Sequence, residues 1–83
     1  MEGYLEIYNG IITRWKMKYF VLHRAVLTYC DEKGQKVQGS VHLRVATLQI
    51  RPEEPLQIII NTGTHEMVLK AANYVDKNKW ATA

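Results

Sequence analysis

Gly10-Ile-Ile-Thr-Arg-Trp-Lys-Met-Lys-Tyr-Phe-Val-Leu22 puts an apolar pair, a run of cations and an aromatic strand into one short stretch. From Lys16 to Leu22 the pattern is that of a β-strand, so Lys16, Lys18, Phe20 and Leu22 share one face and Met17, Tyr19 and Val21 the other. One face therefore runs from cations into core. A closed or nearly closed sheet takes Phe20 and Leu22 inside and leaves Lys16 and Lys18 at the rim, where an anion is gripped without being buried. Upstream, Asn9-Gly10 is a turn signal that places Ile11 and Ile12 on a loop. Two isoleucines on a loop beside Arg14, Lys16 and Lys18 point to a membrane surface. The same residues allow a plainer reading, in which the isoleucines fold under the sheet and the lysines protect a strand edge.

A chain of 83 residues makes one small domain with a compact core. No apolar run approaches the roughly 20 residues of a membrane span, and the acidic N-terminus already reads as strand, so no signal peptide is expected. Cys30 is the one cysteine; it cannot form an internal disulfide, and a reducing compartment, the cytosol, is expected. The net charge of +3 is unevenly spread. Between Gly10 and Cys30 stand Arg14, Lys16, Lys18 and Arg24 with no acidic residue, a local patch suited to an anionic surface or ligand. A nucleic-acid-coating domain would be more basic throughout.

Working outward, Gly3-Tyr-Leu-Glu-Ile-Tyr8 alternates and reads as a first strand ended by Asn9-Gly10. Trp15–Leu22 is the second strand, and His23-Arg24 connects it to a third at Val26–Cys30, giving a meander of antiparallel hairpins. The polar run Asp31–Lys36 around Gly34 is a loop. Ser40–Val45 reads as a fourth strand with Val41, Leu43 and Val45 inward. Thr47–Arg51 is a shorter fifth, stopped by Pro52 and Pro55. Leu56–Asn61 and His65–Lys70 form a last hairpin about Thr62-Gly63-Thr64, with Leu56, Ile58 and Ile60 in phase on one strand and His65, Met67 and Leu69 on the other. After Lys70 the period changes to that of a single helix, with Asn73 as N-cap and Asp76 in an imperfect capping box. Trp80 packs that helix onto an open end of the sheet. The sequence stops where a helix would continue, so a larger parent protein is expected.

Seven strands and a closing helix with a tryptophan resemble the pleckstrin homology (PH) domain, and specific words match along nearly the whole chain. They are Glu2-Gly3-Tyr4-Leu5, Trp15–Leu22, Val26-Leu-Thr-Tyr29, Gly39-Ser-Val41, Leu69-Lys-Ala71 and Trp80. The resemblance implies a mostly β fold over residues 1–83: a seven-stranded antiparallel barrel or sandwich capped by one C-terminal α-helix. Within the family the chain is most similar to the domains of oxysterol-binding proteins and four-phosphate adaptor proteins, which read phosphatidylinositol 4-phosphate on Golgi membranes. That similarity puts Lys18 on the family's strand-two arginine, Lys16 two positions before it, and Ile11-Ile12 on the loop tip that enters the bilayer. Two positions depart: Ile7 stands for a lysine late in strand one, and His42 for a strand-four lysine. Arg14, where relatives often have glycine, offers a replacement charge.

The expected headgroup residues are thus Arg14, Lys16, Lys18, Arg24 and His42, with Ile11 and Ile12 as the membrane wedge. Four nearby cations at about 1 kcal/mol each and two half-buried isoleucines at about 1 kcal/mol each amount to a dissociation constant of tens of micromolar. The partners implied are phosphoinositide-containing membranes, with a small GTPase or another protein as a second class; nucleic acid is not expected. No cofactor is implied. His23, His42 and His65 lack ligand spacing, which disfavours a metal site, and nothing pairs a general base with Cys30 or a serine, so no enzyme is read. The competing reading is a protein-interaction module on the same fold.

Overall fold

Alternating apolar residues on the first three segments, joined by very short connections, drive a hairpin meander. A computed structural model describes residues 1–9 and 13–82 and contains it. The strands are β1 (Glu2–Asn9), β2 (Arg14–His23), β3 (Val26–Cys30), β4 (Gly39–His42), β5 (Thr47–Gln49), β6 (Gln57–Asn61) and β7 (Glu66–Lys70), followed by α1 (Tyr74–Thr82). They form one antiparallel sheet in the order β4-β3-β2-β1-β7-β6-β5. β1 is the hinge of this order, pairing with β2 through Ile7↔Lys16 and with β7 through Ile7↔Leu69.

The sheet curves around its inner face. Leu5, Phe20, Leu27, Val41, Ile58, Ile60 and Leu69 come from six strands and form one buried cluster with Ala71. Phe20 and Leu5 are almost wholly removed from solvent, each such burial contributing about 1.5–3 kcal/mol before entropy is counted. Ile59, on the opposite phase from Ile58 and Ile60, is buried as well.

The helix begins as its cap dictates: the Asp76 N–H donates to Asn73 Oδ1 at 2.9 Å, and Lys77 N donates to the Asn73 carbonyl at 3.0 Å. Trp80 packs on the core cluster. A Cβ at Gly3 would lie 3.6 Å from the Trp80 ring, which places the ring over the start of β1.

Three expectations are corrected. The fourth strand ends at His42, and Leu43–Val45 is a 3-10 turn that leaves Val45 78% exposed instead of inward. His42 pairs with Val26, the first residue of β3, so the chain beyond it has no strand to pair with. Leu43 N instead donates to the Ala25 carbonyl at 2.8 Å. The fifth strand is Thr47–Gln49, shorter than expected, because pairing with β6 stops at Gln49↔Ile59. The β2–β3 connection is Arg24-Ala25, with His23 still in β2. Both turn residues have positive φ, 49° and 63°, the signature of a type I′ hairpin.

Candidate functional site

The pairing decides which loops meet. β1 runs antiparallel to both β2 and β7, so the β1–β2, β3–β4 and β6–β7 connections lie at one end of the sheet. The β2–β3 turn lies at the other.

Lys16 and Lys18 stand at the first end, on the same face of β2 as the buried Phe20. Lys16 is exposed, and the Lys18 side chain is only 14% exposed. Ile7, directly across from Lys16, packs against the core, so the neighbour on β1 is apolar. Arg14 opens β2 and is exposed beside the same loop. Ile11 and Ile12 fall outside the described residues. The β6–β7 connection reaches this end as a tight turn, with Gly63 N donating to Asn61 Oδ1 at 2.7 Å and His65 N to Thr62 Oγ1 at 3.2 Å.

Arg24 and His42 are elsewhere. Arg24 lies in the β2–β3 turn, about 20 Å beyond Lys18 at the rise of an extended strand. His42 is paired with Val26 next to that turn, and Arg24 and Arg44 line one shallow hollow with Leu22, Ala25 and Leu43. The five expected headgroup residues therefore divide into Arg14, Lys16 and Lys18 at one end and Arg24 and His42 at the other.

Sequence reasoning missed two residues at the first end. Lys18 Nζ forms an ion pair with Asp31 Oδ1 and donates to Gln38 Oε1 at 2.9 Å, while Gln38 Nε2 donates to Asp31 Oδ2 at 2.7 Å. The hydrogen bond from Lys18 holds the Asp31 carboxyl below its ordinary value, against some desolvation and with help from Gln38 and the charge of Lys16. Asp31 was legible only as part of a polar loop; its place just after β3, one step beyond the Tyr19↔Cys30 pair and so across from Lys18, is the signal that could have marked it.

On the outer face, Tyr8 meets Trp15 at 5.3 Å between ring centroids, and Lys70 Nζ lies 4.6 Å over the Trp15 ring while pairing with Glu6 at 3.4 Å. Tyr4, Met17 and Tyr8 are exposed there. Among the described residues no group of histidine, cysteine and acids could hold a metal ion, and no helix is long and apolar enough to cross a membrane.

Residues 1–83 match the PH domain family along the whole chain. Pleckstrin homology domain-containing family A member 8 of Danio rerio is 32% identical over 89 residues, covering 100% of this chain and 16% of that protein. The solution structure of the PH domain of human oxysterol-binding protein-related protein 11 has a TM-score of 0.83 at 24% identity, covering 99% of this chain and 73% of that one. The crystal structure of the C-terminal PH domain of pleckstrin in complex with D-myo-Ins(1,2,3,5,6)P5 has a TM-score of 0.87 at 22% identity, covering 99% and 87%. Matched from end to end, with seven antiparallel strands closed by a C-terminal helix, the chain belongs to the PH domain family.

Proposed function

We propose that this domain is a phosphoinositide-binding module that targets a larger protein to membranes, with phosphatidylinositol 4-phosphate on the Golgi as the headgroup and a lipid-transfer protein as the parent. The observation that carries the reading is the inner face of β2, which leads from Phe20 to Lys18 and Lys16, toward the end of the sheet from which β2 starts. Two ammonium groups at the lip of an apolar core can bind a phosphate monoester while staying partly hydrated. Arg14 adds charge beside them, and Ile11-Ile12, on the same loop in sequence, supply the apolar wedge. Similarity to the PH domain of oxysterol-binding protein-related protein 11 supports the lipid-transfer parent, and the inositol phosphate bound to the pleckstrin domain supports the ligand class.

The geometry lowers the expected strength. With Arg24 at the opposite end, three cations and the wedge supply about 5 kcal/mol, a dissociation constant of a few hundred micromolar before specific hydrogen bonds. Such a module works together with others on the same chain. The reading assigns no reaction to the domain. A protein-interaction role is favoured by one observation, the exposed Tyr4 and Met17 on the outer face.

Sedimentation with phosphatidylcholine vesicles, with and without phosphatidylinositol 4-phosphate, separates the two. The expected result is phosphoinositide-dependent binding that the double variant Lys16→Ala, Lys18→Ala loses while remaining folded. Unchanged binding by that folded variant sinks the site, and no binding by the unaltered domain favours the protein-interaction role.

A further inference from the structure

The β3–β4 loop brings an anion of its own to the cationic end of the sheet. Asp31 is the first residue after β3 and Gln38 the last before β4. The loop is drawn together at its base, where Gln38 N donates to the Tyr29 carbonyl at 2.8 Å. From these two positions the side chains converge on one ammonium group: Asp31 Oδ1 and Gln38 Oε1 both accept from Lys18 Nζ, and Gln38 Nε2 ties the carboxylate from its other oxygen. A lysine has three N–H donors, so two of those on Lys18 are directed at protein acceptors. The charge of Lys16 falls on the same carboxylate.

A carboxylate held by an ammonium group and an amide has the acceptor chemistry of a phosphate, with less charge. We propose that Asp31 is a tethered competitor for the headgroup: a phosphate monoester reaches Lys18 by displacing the Asp31 carboxylate, and that exchange sets the affinity of the site. The proposal rests on the phosphoinositide reading above. Displacement is sterically easy, because Asp31 is 55% exposed and every residue from 31 to 38 is exposed, so the carboxylate can turn into water without opening the core. It does not happen by protonation near neutrality. Asp31 is held below its ordinary value, so it stays ionised where a phosphate monoester takes its second proton, near about pH 6. Between displacements the pair keeps the Lys18 head at the rim, so the exchange needs no reordering of the lysine stem.

The opposite role is equally definite: a carboxylate that only aims Lys18 at its ligand would strengthen binding. Asp31→Asn separates them, since the amide oxygen can still accept from Lys18 while the competing charge is gone. Glu53→Gln, on the exposed loop between β5 and β6, changes net charge equally without touching this end. All three proteins are titrated with phosphatidylcholine vesicles containing phosphatidylinositol 4-phosphate at one salt concentration. Asp31→Asn is expected to bind about three- to tenfold tighter than the unaltered domain, the equivalent of a partly exposed ion pair, with Glu53→Gln unchanged. Equal or weaker binding by Asp31→Asn, or an equal gain from Glu53→Gln, overturns the competitor and leaves the headgroup site standing. Absence of binding by both the unaltered domain and Asp31→Asn overturns the headgroup reading, and the competitor with it.

Discussion

Ala25 occupies a backbone conformation that an L-residue with a Cβ adopts only at a cost of about 1–2 kcal/mol, and its side chain is a single methyl group. Its carbonyl does the structural work, accepting from Leu43 N, and any residue has a carbonyl. Ala25→Gly is therefore expected to stabilise the domain by about 1 kcal/mol, a rise of about 4–8 °C in thermal midpoint for a chain of this size. A lowered midpoint in a thermal melt would show that the turn tolerates the methyl without strain. Gly39 is the reverse case. A Cβ there would lie 2.5 Å from the Tyr29 hydroxyl oxygen and 2.6 Å from Cζ, because the Tyr29 ring lies across its cross-strand partner. Gly39→Ala must push that ring aside, and since the ring also packs on Phe20 at 5.4 Å the expected cost is about 1–3 kcal/mol, measured by urea unfolding.

At the scale of elements, the hairpins and the helix were legible because their causes are local. Alternation identifies β2 and the faces it divides, and Asn73 followed by Asp76 identifies where α1 begins. The end of β4 was not legible. Val41, Leu43 and Val45 keep a perfect alternation, yet a strand ends where its neighbour ends, and β3 has no residue beyond Val26 to receive Leu43. The candidate site divides along the same line. Which face of β2 carries Lys16 and Lys18 follows from period two, whereas the Lys18 pairing with Asp31 and Gln38 depends on how a polar loop closes, which composition does not encode. Arg24 was grouped with the lysines by the acid-free basic run it shares with them, and His42 by its match to a strand-four lysine; six residues along an extended strand carry Arg24 about 20 Å beyond Lys18, and His42 ends β4 beside the same turn.

For the whole molecule, that separation makes a direct expectation. The two ends of the sheet are independent surfaces, so Arg24→Ala combined with His42→Gln should leave phosphoinositide vesicle binding within about twofold of the unaltered domain at moderate salt, where charges this far apart are screened. A loss comparable to that of the Lys16 and Lys18 variant would mean that the membrane contacts both ends. The strand order also bears on how the domain comes to exist. β1 through β4 pair with sequence neighbours, but β1 must wait for β7, at nearly the other end of the chain, before Leu5 and Leu69 share a core. Long-range pairing of this kind is the slow part of assembly, because the loop must close before any contact rewards it. On a growing polypeptide the β1–β2 hairpin with its lysines emerges early and stays half-supported until the final third of the chain has been made.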